Sequence, residues 1–108
     1  MKIHTPDPGM MNVEAHQDGM GNIHVMPKTT YWRKRFQKAV AETNFVYQAG
    51  LATDASVFFQ EGGPASEFIE NHVPEQLRHD LEHGWNVYFQ VDPWEYAHWL
   101  GWDVPERF

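Results

Sequence analysis

Thr30-Tyr31-Trp32-Arg33-Lys34-Arg35-Phe36-Gln37-Lys38-Ala39-Val40-Ala41-Glu42-Thr43-Asn44-Phe45-Val46-Tyr47-Gln48-Ala49 is the stretch that decides the fold. Trp32, Phe36, Ala39, Val40, Thr43 and Tyr47 recur at the three-and-four spacing that gathers side chains on one face of a helix. Lys34, Arg35, Lys38 and Glu42 fall on the other side, so one flank faces a core and one faces water. Thr29 or Thr30 is placed to cap the first turn, and Gly50 to end the last. A long helix over residues 30–49 is therefore expected. It supplies a scaffold and no chemistry.

Upstream, Met11-Asn12-Val13-Glu14-Ala15-His16 and Ile23-His24-Val25-Met26 each alternate apolar with polar residues. Asp18-Gly19 lies between them, which predicts a β-hairpin. Residues 1–10, with two prolines and no periodicity, read as a flexible N-terminal arm. Downstream, residues 51–60 are ambiguous: Ser56-Val57-Phe58-Phe59 reads as a short buried strand or as one turn of helix. The caps offered by Thr53 or Asp54, with Gly62-Gly63 as a stop, tip the reading to helix. Pro64 and Pro74 start helical segments, giving short helices at about 64–83. Residues 85–91 alternate, with Trp85, Val87, Phe89 and Val91 on one face of a strand. Asp92-Pro93 then opens a helix over 93–100, stopped by Gly101. The sum is a single α+β domain over residues 11–108. Its small antiparallel sheet, the N-terminal hairpin plus strand 85–91, packs against the long helix.

The 108 residues include no cysteine, which excludes disulfides and thiolate chemistry. No apolar run has the length of a signal peptide or a membrane span, so a cytoplasmic protein is expected. The net charge of −7 is unevenly spread. Residues 1–53 hold six basic and four acidic residues, a balance of +2; residues 54–108 hold two and eleven, a balance of −9. Such a field opposes nucleic acid and anionic membrane and draws in a basic partner. The cluster Arg33-Lys34-Arg35-Lys38, beside Tyr31 and Trp32, is the one stretch suited to phosphates. Spanning only two turns of an acidic protein, it is better matched to acidic groups, either within the chain or in a homo-oligomer.

Catalytic signals are sparse. Ser56 and Ser66 sit in no glycine-framed elbow, and there is no phosphate-cradling glycine loop, so no catalytic centre is expected. His79-Asp80-Leu81-Glu82-His83 is the strongest exception. Histidines four apart stand one above the other on a helix and can share a metal, with Glu75 or His72 as third ligand. The zinc-protease pattern puts glutamate directly after the first histidine, where this chain has Asp80. Leu77 and Leu81 mark the buried side, turning His79, His83, Glu75 and Glu82 towards solvent. A zinc or other divalent-metal site, or a metal-dependent hydrolase, is thus the alternative reading. In one register of the expected hairpin His16 and His24 share a sheet face and would form a pH-responsive pair. A one-residue slip in the turn reverses the face, and plain exposed strand positions are the favoured reading.

The dominant signal is aromatic. Trp85, Trp94, Trp99 and Trp102 fall within eighteen residues, joined by Tyr88, Phe89 and Tyr96. A short helix that is apolar nearly all round is either wedged between the sheet and the other helices, with its indole N–H groups satisfied at the rim, or, since so small a domain has few ways to enclose it, set in an interface. Aromatic rings beside carboxylates are what a protein interface contains. The expected contact surface is Trp94, Trp99 and Trp102 with Asp92, Glu95, Asp103 and Glu106, flanked by Glu82. The expected function is protein binding without a cofactor, such as inhibition of a basic, nucleic-acid-processing partner.

Overall fold

The computed structural model describes residues 10–42 and 55–101, with side-chain placement up to residue 39 in the first segment. The expected arm lies outside these residues apart from Met10. So do residues 43–50, the far end of the expected long helix.

Among the described residues the architecture is α+β, with four antiparallel strands in one sheet and helices on one side of it. Strands β1 (Met11–Gln17) and β2 (Ile23–Pro27) form the expected hairpin, with Ala15 opposite Val25 and His16 opposite His24. The turn is built by Asp18 rather than by the Asp18-Gly19 dipeptide. One oxygen of its carboxylate accepts the backbone N–H of Met20 (2.9 Å) and of Asn22 (3.0 Å). The positive φ falls at Gly21 (89°), where a side chain would also run into Glu61.

Helix α1 (Thr30–Glu42) follows, with Trp32, Phe36 and Ala39 buried as their spacing predicts. Thr29 precedes it, and its hydroxyl oxygen accepts the Asn12 backbone N–H (2.8 Å). That bond ties the start of the helix to β1.

Of the two readings of residues 51–60, the favoured helix is corrected to its alternative, a short strand; residues 51–54, with Thr53 and Asp54, lie outside the described residues. Val57–Phe59 is a strand, β3, and it pairs antiparallel with β2, placing Val25 opposite Val57 and His24 opposite Phe58. A free sheet edge beside a three-residue apolar run outweighed local capping signals that carry little energy over so short a span.

Helices α2 (Gly63–His72) and α3 (Glu75–Glu82) are separated at Val73-Pro74, where Val73 is extended as the residue before proline must be. The Arg78 guanidinium donates to the carbonyls of Val73 (3.0 Å) and Glu70 (3.1 Å), satisfying acceptors that the end of α2 leaves open.

Strand β4 (Val87–Val91) pairs with β1, Val13 opposite Phe89, giving the order β3-β2-β1-β4. Val87, Phe89 and Val91 point inward as expected, but Trp85 lies before the strand and is 67% exposed. Its backbone N–H is held by the Asp80 carbonyl at the end of α3, which delays strand pairing by two residues. Helix α4 (Pro93–Leu100) closes the described chain, capped by Asp92, whose carboxylate accepts the Trp94 N–H at 2.9 Å.

One core joins every element: Met11, Val13, Ile23, Val25 and Phe89 from the sheet meet Phe36, Phe68, Leu81, Tyr96 and Leu100 from the helices. The opposite sheet face carries His16, His24, Phe58 and Tyr88, the last two strongly exposed. Among the described residues no helix is long and apolar enough to cross a membrane.

Candidate functional site

Helix α4 divides its tryptophans between two neighbourhoods. Trp94 is half-buried and meets Trp32 of α1 edge to face, with centroids 5.5 Å apart. Trp32 stacks on Phe36, and Phe36 on Tyr96, so this side of the helix is a ladder of rings inside the molecule. Trp99 lies on the other flank, also half-buried, against Phe59, Phe68 and His72. Trp94 and Trp99 therefore do not form one continuous patch. Tyr96, Ala97 and Leu100 are buried, so the domain does enclose one side of this helix. Trp102, Asp103 and Glu106 lie outside the described residues. Among the described residues, the strongly exposed aromatic rings are Tyr31, Phe58, Trp85 and Tyr88.

The Trp99 flank opens onto a cleft of about 420 Å³ between α2 and α4, at the end of β3. Its floor is aromatic. Phe59 and Phe68 stack at 4.5 Å with their planes 20° apart, and Trp99 stands nearly perpendicular to both, at 81° and 79°. Its rim is polar, with Glu67 and Asn71 from α2 and Glu95 from α4.

The sequence builds the α2 wall by helical spacing, because Pro64, Glu67, Phe68, Asn71 and His72 recur every three or four residues. Gly62, with φ 106°, turns the chain from β3 into α2, so that this face looks across at α4. Glu67 and Glu95 are exposed, and among the described residues neither has a cationic partner. Two carboxylates above electron-rich rings attract a cation by charge and by ring quadrupole together. Of the expected contact residues, the cleft gathers Trp99 and Glu95 and leaves Trp94 and Asp92 outside. It adds Phe59, Glu67, Phe68, Asn71 and His72. The α2 spacing was a readable signal, but which helix lies opposite is decided by tertiary packing.

The expected metal pair occupies a different surface. His79 and His83 are exposed, with ring centroids 4.3 Å apart. His83 stands at the C-cap of α3, and its Nδ1 lies 2.9 Å from the His79 carbonyl, to which it donates. Glu75 is exposed at the start of the same helix, while His72 packs on Trp99 in the cleft. Among the described residues no group of three histidine, aspartate or glutamate side chains is arranged to hold a metal ion.

On the open sheet face, His16 and His24 stack with centroids 4.8 Å apart and planes 5° from parallel. Phe58 meets His24 edge-on at 5.2 Å. The His24 Nε2 lies 2.8 Å from Asp18. That hydrogen bond, ahead of the backbone N–H groups of Asn22 and Met20, holds the Asp18 carboxyl well below the usual aspartate range, against an opposing desolvation effect. In the basic cluster, Arg35 donates to the Tyr31 hydroxyl (2.7 Å) and lies over the Tyr31 and Trp32 rings.

Comparison with protein-family models, with curated proteins and with solved structures finds no match for this chain.

Proposed function

We propose that this chain is a small regulatory protein of the cytoplasm that binds another protein through a basic surface on that partner, with the α2–α4 cleft as the point of contact. The supporting observation is the placement of Glu67 and Glu95 on facing helices at the rim of an aromatic floor. It lies in the half of the chain whose charge balance is −9. A field of that sign steers a basic partner in, and burial of ring surface then retains it. Inhibition suits this chemistry, because a nucleic-acid-processing enzyme presents a basic groove that an acidic, aromatic surface can occupy.

The test is affinity capture from native cell extract, comparing the wild-type chain with the Glu67→Gln, Glu95→Gln double variant. Both substitutions are on exposed side chains and should leave the fold intact. A partner captured by the wild type, lost with the variant and released by salt supports the reading. Identical capture by both chains overturns it. A solution mass that doubles at low salt and falls with the double substitution would make the partner a second copy of this chain.

A further inference from the structure

We infer that the group held in the α2–α4 cleft is the guanidinium of an arginine, presented by the partner; this rests on the protein-binding reading above and specifies its chemistry. The cleft has three properties that together select this cation. Its floor is ring surface, contributed by the half-buried Phe59 and Trp99 and backed by the core ring of Phe68. A guanidinium is planar and weakly hydrated, so it gives up little on leaving water for aromatic walls; an ammonium is compact and strongly hydrated. The rim offers acceptors from both sides, the carboxylates of Glu67 and Glu95 and the side-chain carbonyl of Asn71. Five N–H groups in a fixed fork can meet acceptors in several directions within one plane, whereas an ammonium meets them as a point. The volume, about 420 Å³, leaves room for the aliphatic stem of the incoming side chain as well as its head.

Two of the chain's four arginines, both outside the cleft, show how a guanidinium combines ring contact with several acceptors. Arg35 lies 5.6 and 5.8 Å from the centroids of two rings while donating to a hydroxyl, and Arg78 bridges two carbonyls. Both are engaged away from the cleft, so neither neutralises Glu67 or Glu95.

The experiment titrates the full chain with three capped tripeptides, Gly-Arg-Gly, Gly-Lys-Gly and Gly-citrulline-Gly. Binding is read from the Trp99 indole N–H and the backbone amides of Glu67, Asn71 and Glu95 by NMR. Citrulline has the shape of arginine without its charge. The arginine peptide should give saturable shifts at those four positions, with affinity at least about fivefold above the lysine peptide. The citrulline peptide should give none. The Glu67→Gln, Glu95→Gln variant should bind the arginine peptide about tenfold more weakly while its remaining resonances stay in place.

Equal affinity for the lysine peptide overturns the inference, as does equal affinity for the citrulline peptide or shifts that map elsewhere. The arginine preference and the partner contact fail separately. Extract capture that depends on Glu67 and Glu95, with lysine bound as well as arginine, keeps the partner reading and removes this one. Arginine-selective shifts at Trp99, with capture indifferent to both carboxylates, keep this site and remove the partner reading.

Discussion

The buried hydroxyl of Tyr96 donates to the carbonyl of Ala55 at 2.7 Å, and Ala55 has φ 64°. A tyrosine from α4 thus satisfies the backbone just where the chain passes through a left-handed residue on its way into β3. Among the described residues Ala55 is the only non-glycine residue with positive φ, and it is fully buried. Left-handed backbone costs an alanine roughly 1 kcal/mol, so the surrounding contacts must hold it there.

Tyr96→Phe removes that donor and leaves a buried carbonyl unpaired. The expected loss is about 1–3 kcal/mol of stability, measured by urea denaturation. The β3 amides should lose hydrogen-exchange protection more than those of the β1–β2 hairpin. Unchanged stability would mean that water replaces the hydroxyl.

Gly21→Ala should be costly and Gly19→Ala nearly neutral, although both glycines lie in the same hairpin turn. At Gly21 the φ of 89° and a Cβ only 2.5 Å from the Glu61 side chain both oppose a methyl group; at Gly19 nothing lies within 4 Å. The first change should cost roughly 1 kcal/mol or more and the second stay within about 0.5 kcal/mol, compared by thermal or urea unfolding.

Acid should weaken the hairpin turn through Asp18. Its folded-state value is lowered, so the stabilisation is present above the usual aspartate value and is lost as pH falls through the lower, folded one. His24→Gln takes away the largest cause of that lowering. Carboxyl-carbon NMR should show the Asp18 titration moving upward, towards the ordinary range. A titration that stays put would assign the effect to the Met20 and Asn22 amides alone.

Arg78→Met keeps the aliphatic stem and removes the donors that satisfy the Val73 and Glu70 carbonyls. A loss of about 1–2 kcal/mol is expected, with hydrogen exchange quickened at the C-terminal turn of α2. The effect should carry into the cleft, since Asn71 and His72 stand on that turn.

Periodicity was enough to read α1, the two hairpin strands and β4, because each has one face in the core and one in water over several residues. Helix α4, apolar nearly all round, was legible instead from its ends, the Asp92-Pro93 start and the Gly101 stop. Periodicity failed where tertiary contacts decide. Val57-Phe58-Phe59 is too short to show a period, and it became a strand because β2 had an unpaired edge. Trp85 matched the β4 alternation but was held back by its bond to Asp80. Half of the cleft was legible, in Trp99 and Glu95, through the crowding of rings and carboxylates near α4. The other half was not, since nothing local to Glu67 or Asn71 says that α4 lies across from them. The shared face of His16 and His24 hung on a turn length that the sequence leaves open by a residue or two; the structure sets His16 opposite His24, and their rings stack.

The pairing of β1 with β4 joins Met11 to Val91, two positions near opposite ends of the described chain. Glu95 and Trp99 come after that closing strand. Contacts so distant in sequence must wait on a large loss of chain entropy, whereas the hairpin can zip early. The cleft should therefore be the last part of the molecule to take shape, which pulse-labelled hydrogen exchange during refolding can time. A chain still emerging from the ribosome, with α4 unmade, would carry the charge that attracts a partner and no seat in which to hold it.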